Sequence, residues 1–330
     1  MRVLFNTYPV AFDCPGGGEI QLLKCREAVR AFGIEVLLFD HWRPQLDRVD
    51  LVHYFSVQGG SMNFCAHVKR RGLPLVISPV LWLTDENRAH FPMTEIRDLL
   101  HLCDRVLPNS LAERDQLCEA FGLAAGNFTV VPNGVDPAFG VPVTPDLFRS
   151  HFGIAGPLLL NVANIEPRKN QHRLARVARQ MRTTVVLVGH VRDSRYLAHC
   201  LDEGGGFLRH VGPLEHEGPL LKSAYAACNV FVLPSLLETP GLAALEAAAQ
   251  GAPVVVTGVG STREYFGDLA SYVDPTDESQ WRAVLETSLA APRDDRLRRH
   301  VLDHYTWSAA GDALVEAYRH TLPQGASTRS

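Results

Sequence analysis

The sequence predicts an α/β fold built from two doubly wound parallel-sheet domains. Three observations predict it. Short β-branched and aliphatic runs alternate with longer helical stretches along the chain. Several runs, VVLV, FVL and VVV among them, are continuously apolar, as strands buried on both faces are. The length of 330 residues corresponds to about two domains. Hydrophobic residues make up 46% and charged residues 21%, ordinary for a globular chain, so disorder as the main state is excluded.

The first series of strands is expected at residues 3–5, 35–39, 51–54, 74–78, 105–107 and 129–131. The second is expected at 158–162, 184–188, 207–211, 230–233, 253–257 and 271–273. Two series imply two Rossmann-like domains. The segment 136–156, with VDPAFGVPVTPDLF, is rich in proline and turn residues and marks the boundary. The expected domains are therefore 1–150 and 151–305. The small, polar tail 324–330 is expected to fray.

Composition removes several function classes. The net charge is -4, so no global basic excess exists to carry nucleic-acid binding. The seven cysteines are odd in number, widely spaced and contain no CxxC pair, which argues against a disulfide framework or a zinc ribbon. Reduced thiols fit a cytoplasmic location. The start MRVLFNTYPVAF reads as a first strand rather than a signal peptide. No apolar run is long enough to span a membrane. Lys69-Arg70-Arg71 reads as a solvated helix end, with contact to an anionic membrane surface as the minor reading.

The most informative segment is 230–257. A buried strand ends at Leu233-Pro234. Thr239 is placed as an N-cap and Pro240 at the first helical position, and Gly251 ends the helix as its C′ residue. The helix 240–250 is nearly all Ala and Leu, with Glu246 its only charge. A buried carboxylate needs a partner. One reading has Glu246 gripping the hydroxyls of a ligand; the other has it paired with a nearby Arg. Glu238 stands just outside the helix start, where N–H groups and positive dipole gather. Ligands of open α/β sheets bind outside the carboxyl ends of strands, and this turn is such a place.

A second candidate site is NVANIEPRKNQHRL, residues 161–174. Pro167 and Asn170 mark a turn before a helix beginning near Gln171. Arg168 and Lys169 are adjacent cations at a helix start, against the dipole preference. Either an anion relieves that conflict or the two are solvated loop charges. No GxxxxGK[ST] motif occurs, and Gly16-Gly17-Gly18 is not the dinucleotide fingerprint. Such glycines let a backbone approach a phosphate or a sugar, or simply form a flexible turn.

Glu238 and Glu246 are separated by seven residues and followed by GAPVV. This resembles the E-x7-E motif of family 4 retaining glycosyltransferases, two-Rossmann enzymes of the GT-B architecture with domains facing a cleft. HVGPLEHEGPLLKSAYAACNVFVLPS, GSTREYFGDLASYVDPTD, VVPNGVD, Tyr305-Thr306-Trp307 and Gly16–Glu19 (GGGE) extend the resemblance over nearly the whole chain. The resemblance implies a C-terminal helix, 306–323, packing back toward the N-terminal domain. It implies an acceptor domain at the N-terminus and a nucleotide-sugar donor domain after it. Arg168 and Lys169 would hold the leaving diphosphate, Glu238 would face the donor sugar and Glu246 would hold the ribose. Gly17, Gly18, Leu214, Thr239, Pro240, Gly241 and Leu242 would complete the donor site, Leu214 at the base. For Leu214 a hydrophobic cap on the next helix, and for Gly241 a plain turn glycine, stand as the alternatives.

The sequence departs from the family pattern in two places. Asn164 stands where many members carry Arg, and Arg168 then supplies the guanidinium. Val80-Leu81-Trp82 stands where many place a His, the nearest here being His90. Trp82 is either an acceptor-stacking ring or core. No DxD motif is present, so no metal is expected, and no cofactor beyond the nucleotide sugar as co-substrate. The expected function is metal-independent, retaining transfer of a hexose, mannose by analogy, from a GDP- or UDP-linked donor. The acceptor would be a glycan or lipid-linked sugar of polysaccharide assembly. A GT-B nucleotide-sugar epimerase and a non-catalytic nucleotide-sugar-binding protein are the rivals.

Overall fold

The computed structural model describes residues 1–85 and 87–322. Its described residues divide into two compact units, one formed by Met1–Asn133 with the described residues from Trp307 onward, the other by Gly134–Thr306. The tail expected to fray at 324–330 lies outside the described residues. So does residue 323, the last of the expected C-terminal helix.

The first unit holds a five-stranded parallel sheet. Its strands are β1 (Arg2–Asn6), β2 (Glu35–Leu38), β3 (Leu51–Phe55), β4 (Leu75–Ser78) and β5 (Arg105–Val106). Their order is β2-β1-β3-β4-β5, so the chain reverses its direction of travel between β1 and β3. The helix Trp307–Thr321 belongs to this unit and buries Trp307, Ala310, Gly311, Leu314, Val315 and Tyr318 along one stripe. A Cβ on Gly311 would lie 2.9 Å from the Phe32 ring and 3.1 Å from Ala28, so glycine lets this helix lie close against helix Gly17–Arg30 without crowding it.

The strand expected at 129–131 does not form. Thr129 N–H donates to the Val106 carbonyl and Val131 N–H to the Pro108 carbonyl, and a single bridge joins Val106 to Phe128. Pro108 has no N–H to return a bond, so the ladder cannot extend there.

The second unit holds a six-stranded parallel sheet. Its strands are β6 (Leu158–Val162), β7 (Thr184–Val188), β8 (Leu208–His210), β9 (Val230–Leu233), β10 (Val254–Thr257) and β11 (Ser271–Val273). The order β11-β10-β9-β6-β7-β8 is the doubly wound dinucleotide-type order, with its switch point between β6 and β9. Continuous apolar runs serve two cores at once. Leu158, Leu160, Phe231, Leu233, Val254 and Val256 fill one face. Leu159, Val185, Leu187, Val230, Val232 and Val255 fill the other. That is why these strands do not alternate apolar with polar.

The boundary between the units falls after Asn133, earlier than the expected 150. Phe139 and Phe148 explain the shift: both are at most 1% exposed and pack with Tyr225 and Phe231 in the second unit's core. A proline-rich stretch that looks like a linker is thus anchored by two buried rings. Among the described residues no helix is long and apolar enough to cross a membrane. Lys69 is paired with Asp104 at 2.6 Å, which neutralises part of the charge run.

Candidate functional site

The site is built at the switch point of the second sheet, from the loops after β6 and β9. β6 ends at Val162 and the chain turns through a short helical turn, Pro167–Lys169. Asn170 follows in the left-handed region at φ 59°, and the helix Gln171–Met181 starts from it. Asn tolerates that conformation better than most residues. Its buried side chain donates to the carbonyls of Pro234 (3.1 Å) and Pro275 (2.8 Å). One amide therefore ties the loop after β6 to the loops after β9 and β11. Gln171, Leu174, Ala175 and Ala178 form the buried i, i+3, i+4, i+7 stripe that seats the helix.

This anchoring presents Arg168 and Lys169 to the β9 loop. Lys169 Nζ lies 2.5 Å from Glu238 Oε1, both side chains nearly buried. Arg168 pairs with Glu166 at 3.1 Å and reaches the Leu237 carbonyl at 3.4 Å, with half its side chain exposed. Glu166 also meets Arg192 at 3.3 Å. Burial alone would raise the Glu238 carboxyl, but Lys169 and Arg168 outweigh it and hold it below the usual range. The cluster thus contains a desolvated ion pair with a second guanidinium at its rim.

Glu238 is fixed by its backbone as well. Its N–H donates to the Val259 carbonyl, and its own carbonyl accepts from Ser261 N–H. A Cβ on Gly260 would fall 2.0 Å from the Glu238 carbonyl oxygen, so that approach requires glycine.

The helix after β9 starts later than the sequence suggests. It runs Leu242–Ala249, with Gly241 at the cap position and no side-chain cap. Thr239 is not its N-cap and Pro240 is not its first residue. Gly241 stands at φ +89°, outside helical geometry, and a Cβ there would lie 2.7 Å from Leu233 and 3.3 Å from Glu238 Oε2. The backbone must therefore pass this point as glycine before turning helical. The other end is as expected. Gly251 at φ +76° donates to Ala248 and Ala252 to Ala247, the paired bonds of a Schellman ending.

Glu246 is buried at 6% exposure, and its partner is not an Arg. Tyr225 donates its hydroxyl to Glu246 Oε2 at 2.6 Å, and His216 Nε2 lies 2.7 Å from Oε1. Burial, followed by the Glu246 charge, pushes the Tyr225 phenol well above its usual range, so it stays a donor. His216 lies two residues beyond Leu214, which is half-buried against the core beneath. The loop after β8 and the β9 helix are therefore joined through Glu246. Tyr225 and His216 are the residues that sequence reasoning missed. Only the requirement that Glu246 be partnered pointed toward them.

In the first unit Gly17 and Gly18 are not a loop but the first two residues of helix Gly17–Arg30. Gly16 N–H donates to Glu19 at 2.7 Å, and this bond fixes the start of the helix. A Cβ on Gly18 would touch Val80 at 3.4 Å. Val80 and Ser56, at φ +49° and +84°, are left-handed residues just beyond β4 and β3. For a β-branched residue that conformation is strained. Trp82 is half-buried, and its carbonyl accepts from Asn87.

Residues 156–290 match the family described as glycosyl transferases group 1, and residues 30–139 match Glycosyltransferase Family 4. A D-inositol 3-phosphate glycosyltransferase 1 of Catenulispora acidiphila is 30% identical over 84% of this chain and 73% of its own length. The chain belongs to glycosyltransferase family 4. A second relative, the D-inositol 3-phosphate glycosyltransferase of Stackebrandtia nassauensis, is 31% identical over 68% of this family 4 chain. The match spans only 55% of that relative's length. Among solved structures, Anabaena HepE in complex with UDP-glucose superposes with a TM-score of 0.78 at 19% identity. It covers 97% of this chain and all of its own, which establishes the shared GT-B fold.

Proposed function

We propose that this family 4 chain is a retaining hexosyltransferase that needs no metal. It would move a sugar from a nucleoside-diphosphate donor to a hydroxyl of a glycan or lipid-linked acceptor. The observation that carries this reading is the convergence of Lys169, Arg168 and Glu238 at the carboxyl ends of β6 and β9, where the strand order reverses. In the reaction the bond from the sugar C1 to the diphosphate oxygen breaks. An acceptor oxygen bonds to C1 on the same face, and the acceptor proton passes to the leaving diphosphate. Negative charge grows on that diphosphate, and Arg168 and Lys169 stand ready to stabilise it where it develops.

Glu238 faces the sugar in this reading, beside the backbone of Thr239, Pro240, Gly241 and Leu242. Glu246 takes the ribose hydroxyls, and the Leu214 loop takes the base. Gly17 and Gly18, at the amino end of their helix, offer N–H groups to an anion. The UDP-glucose complex of HepE supports a uridine donor, and mannose linked to GDP stands beside it as the other candidate. The named activity of the curated relatives makes D-inositol 3-phosphate one acceptor to screen, beside glycans and glycolipids.

Calorimetric titration with UDP, GDP and ADP, each with and without EDTA, tests the donor site. Selective binding that survives EDTA is expected. Product analysis with the matching sugar donors and an acceptor panel then reads the anomeric configuration. Failure of every nucleotide to bind overturns the reading. Binding without transfer leaves a nucleotide-sugar-binding protein, and an altered sugar on the nucleotide leaves an epimerase.

A further inference from the structure

We infer that Tyr225 and His216 are positioning residues that set Glu246 to recognise a vicinal diol, so that the site selects ribonucleotides over 2′-deoxyribonucleotides. The inference rests on the ribose role proposed for Glu246 and names the residues through which that role is enforced. Its basis is the pattern of bonds on one carboxylate. Tyr225 occupies Oε2 and His216 occupies Oε1, one donor on each oxygen. A carboxylate oxygen accepts about two hydrogen bonds, so each keeps one acceptor position. Two remaining positions on a rigid plane match the two hydroxyls of a vicinal diol. A carboxylate held by one donor only would turn about its terminal torsion, which is broad and soft for Glu.

The two donors arrive from different elements. Tyr225 is fully buried in helix Pro219–Ala227, and its ring packs with Phe139 and Phe231 at 6.0 and 5.8 Å between centroids. It is a rigid anchor. His216 comes from the loop after β8, a third of its side chain exposed, with its ring 5.6 Å from Phe139. It is the partner within reach of solvent. For the bond to Glu246 its Nε2 must carry the proton, in either charge state.

The experiment titrates UDP, 2′-deoxy-UDP, GDP and 2′-deoxy-GDP into the whole protein and into Tyr225→Phe, His216→Ala and His216→Gln. The readout is the ratio of deoxy to ribo dissociation constants for the base that binds. Wild-type protein should disfavour the deoxy ligand by roughly tenfold or more, the scale of one lost hydrogen-bond partner. Tyr225→Phe and His216→Ala should bring the ratio toward one, and His216→Gln, which keeps an N–H, should restore it. A role in packing alone would weaken both ligands equally and leave the ratio unchanged. An unchanged ratio in both Tyr225→Phe and His216→Ala therefore overturns the inference while the ribose site stands. No discrimination in the wild type, with ribonucleotides bound, overturns the ribose role of Glu246 itself. Should Tyr225→Phe fold poorly by circular dichroism, the variants at His216, a third of whose side chain is exposed, carry the test.

Discussion

Lys169 and Glu238 carry opposite costs, and the pair should reveal them separately. Removing one partner of a buried ion pair strands the other charge, typically at about 3–5 kcal/mol. Lys169→Ala should therefore destabilise the protein and also cut turnover by about two to three orders of magnitude, as loss of an oxyanion donor does. The double variant Lys169→Ala/Glu238→Gln should regain much of the stability, read by urea unfolding, with no return of turnover. Turnover that returned with stability would show that Lys169 acts only as Glu238's counterion. Gly241→Ala is the complementary case. Its Cβ would collide with Leu233 and crowd the Glu238 carboxylate from a left-handed backbone, so a loss of about 1–3 kcal/mol is expected without any change of charge. At this scale the sequence shows which residues must be partnered, because a lone Glu among Ala and Leu cannot be left bare. It does not show the partner. Tyr225 and His216 precede Glu246 by 21 and 30 residues and meet it only through tertiary packing.

The loop 166–170 is the element on which the site depends. The turn between β6 and its helix is legible in the sequence because proline and asparagine punctuate it, and the helix begins at Gln171 as expected. The side-chain work of Asn170 is not legible, since its acceptors, Pro234 and Pro275, lie 64 and 105 residues away. Asn170→Gly should keep the left-handed turn yet lose both bonds; Asn170→Ala should lose the bonds and strain the turn as well. The expected order of stability is wild type, then Gly, then Ala, with about 1–3 kcal/mol lost for the buried acceptors left short. Both variants should weaken nucleotide binding, because Arg168 and Lys169 are held by this loop. Equal affinity in all three proteins, measured by calorimetry, would detach the cations from the anchor. The same element scale explains the late helix start at Leu242. Thr-Pro reads as a cap from local chemistry alone, but the close contact of Gly241 with Leu233 and Glu238 overrides it.

Across the molecule, the strands were legible where apolar runs feed two cores, and least so at the sheet edge. There β5 spans only Arg105–Val106, and in place of the expected strand at 129–131 there is one bridge, at Phe128. A polar feature buried inside the first unit gave no signal at all. His53 on β3 is fully buried, with Nδ1 2.7 Å from the Tyr318 hydroxyl and Nε2 2.9 Å from Ser78 Oγ. Tyr318 sits on the helix Trp307–Thr321, so this imidazole links a central strand to the last helix described. Burial pushes its pKa down to about 3. In the unfolded chain the same group titrates near 6.5. Between those values the unfolded state holds a proton that the folded state does not, so stability falls as pH falls. The slope from this group is about 1.4 kcal/mol per pH unit below about 6.5, and it ends near the folded pKa. Glu238 adds to the acid loss only lower, once the pH drops below the ordinary carboxylate range, because its folded form resists protonation. Urea unfolding at pH 7, 6 and 5 should therefore show a falling midpoint in the wild type. His53→Gln should lower stability at pH 7 and flatten that fall, whereas Glu238→Gln should leave the fall between pH 7 and 5 in place. An undiminished slope in His53→Gln would mean that other groups carry the acid sensitivity and that the buried imidazole is not its source.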